Sequence, residues 1–431
     1  MLNGQFSDWG DVRAGVPQGS ILGPLLFLIY VNDIVDVVNS KIHLYADDIT
    51  LYIEVTDSTE AARNLNFDLE NINNWANKWH VTFNLSKSQN MIISRKKVPS
   101  NHPQIILSNS AIATVKEHRH LGLNLRNDLS WSSHISSLVE KSTKLINILR
   151  SYQYRLSRNT IETIYFSFIR PILEYGNVVW DGCTRTEELL LERVQLSAAR
   201  AVTGGMWGTP SHQLYAETGW ETLKQRREKR KLLIMFKIMN KEVPSYLSDD
   251  IAEEVESRNN YNTRFKENIT HFRARTTMFS NSFFPSTIRI WNQIPLHVRR
   301  AEHISFFEKY LNEKYKLPEK YKFYSFGNRH TSILHSRLRM GCSQLNLHLH
   351  KVGLRESGNC DCGDGSEDTL HYFFLCRKFN SIRIDLHESV IRLAPFTLKT
   401  ILMGSDECSK SENEKIFRAV FTFIEKSGRF N

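Results

Sequence analysis

The sequence has no run of the roughly twenty apolar residues that a membrane-spanning helix needs. Its longest apolar run, residues 25–31, ends in Asn32-Asp33, so no transmembrane segment is expected. The opening residues, MLNGQFSDWGDVRAG, have neither a basic start nor an apolar stretch. No secretory signal is read there, and the nucleus or cytoplasm is the expected location. Cysteine is scarce: six residues among 431 argue against a disulfide-built scaffold, and their clustering suggests a metal instead. With 41% hydrophobic and 24% charged residues, the chain is globular rather than disordered. Its length suffices for roughly two to four domains with real cores. The formal net charge of +10 favours a polyanionic partner. Basicity alone does not decide this, because many basic proteins bind no nucleic acid.

The stretch that carries most chemistry is IHLYADDITLYI, residues 42–53. Two apolar-alternating runs (Ile42, Leu44; then Ile49, Leu51, Ile53) flank Ala46-Asp47-Asp48, the pattern of a β-hairpin with two carboxylates at its tip. Adjacent carboxylates between dry strands are costly unless a positive group meets them, and a divalent metal is the natural candidate. An ordinary Asp-containing turn fits the same residues, since Asp bonds its own backbone in turns. Ahead of it, Gly15-Val16-Pro17-Gln18-Gly19-Ser20 forms a loop before the apolar segment 21–38, with Gly23-Pro24 placed as a helix entry. Flexible backbone beside a helix start can approach a planar or phosphorylated ligand closely; a plain loop before a core helix is the simpler reading.

In this order and close together, GVPQGSILGPLLF (residues 15–27) and YADD (45–48) closely resemble two motifs of the reverse transcriptases of non-LTR retrotransposons, the LINE-type, jockey-like kind. The resemblance implies a polymerase palm in which the first motif lies beneath template and incoming nucleotide and the second is the metal-binding hairpin. Asp47 is then the principal ligand of Mg2+ or Mn2+ and Asp48 its supporting carboxylate, while Gly15, Pro17, Gln18, Gly19 and Tyr45 lie at nucleotide and template. Such polymerases use two metal ions about 3.5 to 4 Å apart, one activating the attacking 3′-hydroxyl and one stabilising the leaving pyrophosphate. Hard cations of this sort prefer carboxylate oxygens. The implied activity is nucleotidyl transfer, RNA-directed DNA polymerisation, with an RNA template, a DNA primer and deoxynucleoside triphosphates as partners. Lys87 lies in the polar turn of VTFNLSKSQNMIIS, residues 81–94, read as strand, turn and strand. It resembles the family's lysine proposed to protonate the leaving pyrophosphate; a solvated turn lysine fits equally well.

Downstream, Leu65, Leu69, Ile72, Ala76 and Trp79 recur at spacings of three and four over residues 59–80. They predict an amphipathic helix covering a sheet, with Trp75 and Trp79 as core rather than stacking residues. HLGLNL (120–125), followed by Leu129-Ser130-Trp131, resembles the primer-grip hairpin, and the helix carrying Ile135, Leu138, Ser142 and Leu149 resembles the first thumb helix. A second helix follows Ser157, with Pro171 expected to kink or end it. Residues 224–231, KQRREKRK, hold Lys224, Arg226, Arg227, Lys229, Arg230 and Lys231. Phosphate contacts, a solvated face and a nuclear localisation signal all fit this run. Residues 249–262 turn polar and charged and read as a linker. The basic and aromatic mixture over 265–324 (Phe272, Arg273, Phe283, Phe284, Trp291) suits either single-strand binding or packing of a small helical subdomain.

Cys360, Cys362, His371 and Cys376 supply three thiolates and one imidazole within seventeen residues, enough for a closed tetrahedral zinc site. The set resembles the C-terminal Cys-Cys-His-Cys site of LINE-like elements; Cys342, His348 and His350 rank below it as accessory ligands. The expected fold is α+β. It comprises a partial palm with a primer-grip-like hairpin (1–131), a helical thumb and connection (132–250), a basic/aromatic linker with a small helical subdomain (251–330) and a mostly helical C-terminal region with a zinc-knuckle-like element (331–431). The resemblance also implies fingers and a palm motif with its own Asp ahead of the glycine loop, and an endonuclease domain. Fourteen residues precede Gly15, too few to hold these, and Asp8 and Asp11 are the only carboxylates among them. The expectation is an N-terminally truncated reverse transcriptase with little polymerase activity alone. The alternative is a non-catalytic nucleic-acid-binding remnant that keeps the thumb, the basic run and the zinc cluster.

Overall fold

Entry into the first helix is set by Ser20, whose hydroxyl accepts the Gly23 N–H at 3.1 Å. The computed structural model describes residues 15–16, 19–94, 102–256, 268–315 and 326–430. The chain divides into two compact units, residues 1–130 and 131–431. It is a helix-rich mixed fold with small two-stranded sheets.

In the first unit, α1 (Leu22–Val31) leads through a 3-10 turn to β1 (Lys41–Tyr45) and β2 (Asp48–Tyr52), an antiparallel pair with Tyr45 opposite Asp48. In α2 (Ser58–Trp79), Asp57 caps the start by accepting the Thr59 and Glu60 N–H groups at 2.8 Å. The apolar spacing turns Leu69, Ile72, Trp75 and Ala76 inward onto Val31, Ile34, Ile105 and Leu107; full burial of each large side chain contributes about 1.5–3 kcal/mol. Trp75 sits in this core and donates its indole N–H to Asp33 at 2.9 Å. Asp68, buried on the same helix, accepts the backbone N–H groups of Asn39 and Ser40 at 3.0 and 2.8 Å, which anchors the chain just before β1. Burial opposes ionisation of Asp68, but its bonds from Ser40 and Asn39 hold the carboxyl below its ordinary range.

Two expectations change here. The helix after the glycine loop is not a core helix: it buries Gly23 and Val31 but leaves Leu25, Leu28 and Ile29 54%, 52% and 65% exposed. Its apolar residues run all round, and among the described residues no element covers the outer side. The strand, turn and strand expected over 81–94 reduce to β3 (Gln89–Asn90), because the Asn84 carbonyl accepts the Lys87 and Ser88 N–H groups at 3.1 Å and bends the chain into a turn. After the small hairpin β4 (Ile106–Leu107) and β5 (Ser110–Ala111), β6 (Ala113–Thr114) pairs parallel with β3. A regular hairpin follows, β7 (Glu117–His120) and β8 (Leu123–Arg126), with Leu121 and Gly122 both at positive φ in its two-residue tip.

The second unit begins with α3 (Ser132–Ser151), α4 (Arg158–Ile164), α5 (Arg170–Glu174), α6 (Arg185–Thr203), α7 (Ser211–Thr218) and α8 (Leu223–Met239). Between α4 and α5, residues Tyr165–Ile169 open into a π turn. Pro171 lacks the N–H that would bond the Ser167 carbonyl, and the widened turn absorbs the loss, so the helix bulges and resumes. Then come α9 (Ser245–Glu256), α10 (Thr277–Asn281), α11 (Phe283–Trp291), α12 (Leu296–Arg299) and α13 (Ile304–Lys314). Helix α9 runs through the first part of the expected linker: Leu247 and Ile251, four apart, join the core of Leu232, Phe236, Trp291 and Phe307 despite the charges around them. Residues 257–262 of that stretch lie outside the described residues. Phe272, Phe283 and Phe284 pack on the same core, so packing rather than base stacking occupies these rings. Last come α14 (Arg329–Arg339), α15 (Asn346–Lys351), α16 (Asn380–Ile391), α17 (Leu398–Met403) and α18 (Lys410–Ser427), around Tyr372, Phe373, Phe417 and Phe423. Glu217 of α7 ties the unit together: fully buried, it accepts Arg158 of α4 at 2.6 Å and Arg339 of α14 at 2.7 Å. Burial works against its charge, yet Arg339 and Arg158 hold its carboxyl down at about 2. Among the described residues, no helix is long and apolar enough to cross a membrane.

Candidate functional site

The β1–β2 hairpin is built to expose its tip. Ala46 and Asp47 form the two-residue turn between the paired Tyr45 and Asp48, and Ala46 takes φ +51, a left-handed conformation that costs an L-residue about 1–2 kcal/mol. Asp47, Asp48 and Tyr45 are exposed there, while Ile42, Leu44 and Ile49 face the core of α2. Asp48 lies close enough to His118 of β7 to favour its protonated form, although burial and His120 together hold the His118 pKa below the ordinary value. His118 also meets Gln89 of β3 at 2.7 Å. The first unit thus brings the carboxylate hairpin toward the β7–β8 hairpin, a proximity that no spacing in the sequence could reveal.

Gly15 and Gly19 each take φ +83, and a Cβ at either would meet no atom within 4 Å, so the backbone is open at both positions. Pro17 and Gln18 lie outside the described residues. Lys87 is exposed in the Asn84 turn. Among the described residues, Asp47 and Asp48 are not part of any group of three or more ligating side chains.

Such a group exists in the second unit. The ligand atoms of Cys360, Cys362, His371 and Cys376 all lie within 4.8 Å of one another. The Cys360 and Cys376 sulfurs are 3.7 Å apart, and Cys362 Sγ is 3.3 Å from His371 Nε2. A tetrahedron with Zn–S bonds of ~2.3 Å has an edge of about 3.8 Å, so these two separations lie near what a four-coordinate site of thiolates and imidazole requires. Local turns bring them together: the Cys360 carbonyl accepts the Gly363 N–H at 3.0 Å, and Cys376 donates its N–H to the His371 carbonyl at 2.8 Å, closing the π turn His371–Leu375. The Asp364 N–H points at Cys362 Sγ at 3.4 Å and lowers that thiol's pKa, whereas burial raises those of Cys360 and Cys376.

Sequence reasoning missed the support of this cluster. Buried Glu367 accepts Arg429 at 2.5 and 2.7 Å and the Asn346 N–H at 2.8 Å, and lies 3.9 Å from Cys360 Sγ. Its place between Cys362 and His371 was the available signal; Arg429 is remote in sequence. Cys342 and His350 are engaged elsewhere, with Gln213 at 3.5 Å and the Arg355 carbonyl at 3.1 Å. His348 also stands outside the four-residue cluster.

The reverse transcriptase (RNA-dependent DNA polymerase) family matches residues 2–125, the segment that holds both the glycine loop and the carboxylate hairpin. That segment is similar to the reverse transcriptases of non-LTR retrotransposable elements. The chain is 29% identical over 206 residues to the probable RNA-directed DNA polymerase from transposon X-element of Drosophila melanogaster, covering 46% of this chain and 22% of that protein. It is 29% identical over 208 residues to the RNA-directed DNA polymerase from mobile element jockey of Drosophila funebris, again covering 46% and 22%. A longer match, 25% identical over 396 residues and 86% of each chain, is to a retrovirus-related Pol polyprotein from type-1 retrotransposable element R1 of Nasonia vitripennis. The chain therefore spans about a fifth of the X-element and jockey proteins and most of the R1 protein.

In this reverse transcriptase relative, the basic run over residues 224–231 is not the open cationic face that its composition suggested. It forms the first half of α8, where Arg227 and Lys231 are buried. Arg227 bonds Asp181 at 2.9 Å and Glu188 at 3.1 Å, and Lys231 bonds Asp181 at 2.5 Å and Ser286 at 2.8 Å. Arg226 is paired with Glu174 and Glu221, and Lys229 with Glu221. Arg230 donates to the Glu174 carbonyl at 3.2 Å, and Lys224 is exposed. The correction has a physical cause: Glu174, Asp181 and Glu188, remote in sequence, and nearby Glu221 pack against α8 and pair Arg226, Arg227, Lys229 and Lys231, while Lys224 and Arg230 stay exposed.

Proposed function

We propose that the chain serves RNA-directed DNA polymerisation, extending a DNA primer on an RNA template with deoxynucleoside triphosphates. One observation carries this: Asp47 and Asp48 stand at an exposed, strained two-residue turn between paired strands, inside the segment that matches the reverse transcriptase family. Asp47 and Asp48 would hold Mg2+ or Mn2+. Bound there, the cation supplies activation of the primer 3′-hydroxyl and stabilisation of the leaving pyrophosphate. The residues of the chain do the rest. The glycine loop with Gly15 and Gly19, together with Tyr45, offers close approach to template and nucleotide, the β7–β8 hairpin with His118 orients the primer end, and Lys87 gives a proton to the leaving group. A further carboxylate, from outside the described residues, completes the ligand set.

In this proposal residues 1–131 are palm, 132–250 thumb and connection, 251–330 a small helical subdomain, and 331–431 a C-terminal region folded around zinc on Cys360, Cys362, His371 and Cys376. The open apolar side of α1 is a surface suited to burial in a larger polymerase body. Primer extension on an RNA template with Mg2+ tests the proposal. A polypeptide joining this chain to a complete palm extends the primer, Asp47→Ala abolishes extension, and the chain alone extends little. Extension that survives Asp47→Ala would overturn the assignment. A second reading, a non-catalytic nucleic-acid-binding protein, is favoured by the absence of a third ligand beside Asp47 and Asp48 among the described residues. It requires that no polypeptide containing this chain extends a primer while binding persists unchanged in Asp47→Ala.

A further inference from the structure

The second unit holds an exposed tryptophan that its core does not use. Trp207 is 87% exposed, at the tip of the loop between α6 and α7. The loop is firmly held. Gly204 ends α6 at φ +72 so close to α14 that a Cβ there would lie 2.4 Å from Ile333, its carbonyl accepts Arg337 Nε at 2.7 Å, and buried Thr209 bonds back to Met206 at 2.8 Å. An indole on a fixed loop is a preorganised flat surface.

Beside it stands uncompensated positive charge. The Arg200 guanidinium lies 5.4 Å from the Trp207 ring, and its Nε is buried without a hydrogen-bond partner. Arg150 is near enough to repel it, and among the described residues no carboxylate pairs with either arginine. Arg337 spends its donors on the Gly204 carbonyl and the Tyr154 hydroxyl, so its charge also stays unneutralised while Tyr154 keeps 48% of its surface exposed. The contrast is with the four paired cations of α8, Arg226, Arg227, Lys229 and Lys231: those meet acids, whereas here the arginines meet one another and aromatic rings. Guanidinium groups without acids call for an anionic ligand, and an exposed ring fixed beside them suits one with flat apolar faces.

We propose that Trp207, Arg200 and Arg150 form a platform for single-stranded nucleic acid, in which a base stacks on the Trp207 indole and the two guanidinium groups take the adjacent phosphates. The platform uses no residue of the Asp47–Asp48 hairpin, so it stands or falls separately from polymerase activity. The test is binding of the full chain to fluorescein-labelled oligo(U) and oligo(dT), read by anisotropy across a salt series. Trp207→Ala weakens binding about tenfold, Trp207→Phe keeps most of it, and Arg200→Gln reduces the salt slope by about one counterion. A loss confined to oligo(U) or to oligo(dT) supports the platform and names the strand it serves. Unchanged affinity of Trp207→Ala for both oligonucleotides, with an unchanged melting temperature, overturns the proposal; a drop in melting temperature matching the loss of affinity overturns it too.

Discussion

Asp181 offers the sharpest test of what the basic stretch of α8 does. Its carboxylate is the common acceptor of Arg227 Nε at 2.9 Å and Lys231 Nζ at 2.5 Å, and the two cationic side chains are only 3% and 5% exposed. Burial works to raise the pKa of Asp181, but Lys231 and Arg227 together bring it below the ordinary value, so the acid is charged at neutral pH. Asp181→Ala leaves Lys231 with Ser286 alone and Arg227 with Glu188 alone. Removing one partner of a buried ion pair costs about 3–5 kcal/mol, because the charge left behind stays desolvated. Against a typical folding stability of about 5–15 kcal/mol, that loss moves the unfolding midpoint far toward low denaturant. Urea titration followed by far-UV circular dichroism reads the shift. Lys224→Ala, on the exposed side of the same helix, stays within about 0.5 kcal/mol. Nucleic-acid binding completes the experiment: a structural role predicts that Arg227→Met lowers stability and leaves the salt slope of binding unchanged once folding is accounted for. If Asp181→Ala and Arg227→Met leave the midpoint unmoved while Arg227→Met flattens the salt dependence, the run is a phosphate-binding face and the reasoning is refuted.

Further outcomes follow from other sites. Ala46→Gly relieves the left-handed strain at φ +51 and stabilises the first unit by up to about 1–2 kcal/mol, read as a higher melting temperature. Cys360→Ser, or treatment with a strong chelator, removes one equivalent of bound metal measured by atomic absorption and lowers the stability of the C-terminal core; a chain purified without zinc and indifferent to chelation would show that the four donors pack without a metal. Glu192 titrates in an unusual range: burial pushes its carboxyl up to about 7, partly opposed by the Leu223 N–H, so the folded state binds more protons than the unfolded one between the ordinary 4.5 and about 7. Stability from this group is therefore full below pH 4.5 and lost as pH rises through 7, by about 3 kcal/mol at most; Glu192→Gln removes that part of the pH dependence in urea titrations.

Local order signals put several features within reach of the sequence. The alternation about Asp47-Asp48 demanded a hairpin because side chains on a strand alternate faces, and the spacing of Leu69, Ile72 and Ala76 demanded a helix because the backbone turns every 3.6 residues. The cysteine and histidine spacing over seventeen residues was equally legible, since tight turns at Gly363 and Gly365, both at positive φ, bring the ligands together locally, whereas the bracing of Glu367 by Arg429 was not. Charge was misread where its partners are remote: nothing near KQRREKRK announces that Asp181, Glu174 and Glu188 meet it. Over the described part of the stretch read as a linker, 249–256, helix α9 continues, and it was missed for a related reason: dense charge hid Ile251, which with Leu247 just ahead of it seats α9 on its core.

By itself, then, the sequence determined which segments fold locally and which residue types could bind a metal or a nucleotide. Those properties depend on backbone geometry over a few residues. Tertiary structure alone decided which charges are spent and which remain available. An ion pair forms between groups that the fold brings within a few ångströms, whatever their separation along the chain. That is why Arg226, Arg227, Lys229 and Lys231 of α8 are paired with acids, most of them remote in sequence, while Arg200 and Arg150, in a less conspicuous stretch, are left with each other beside an open tryptophan.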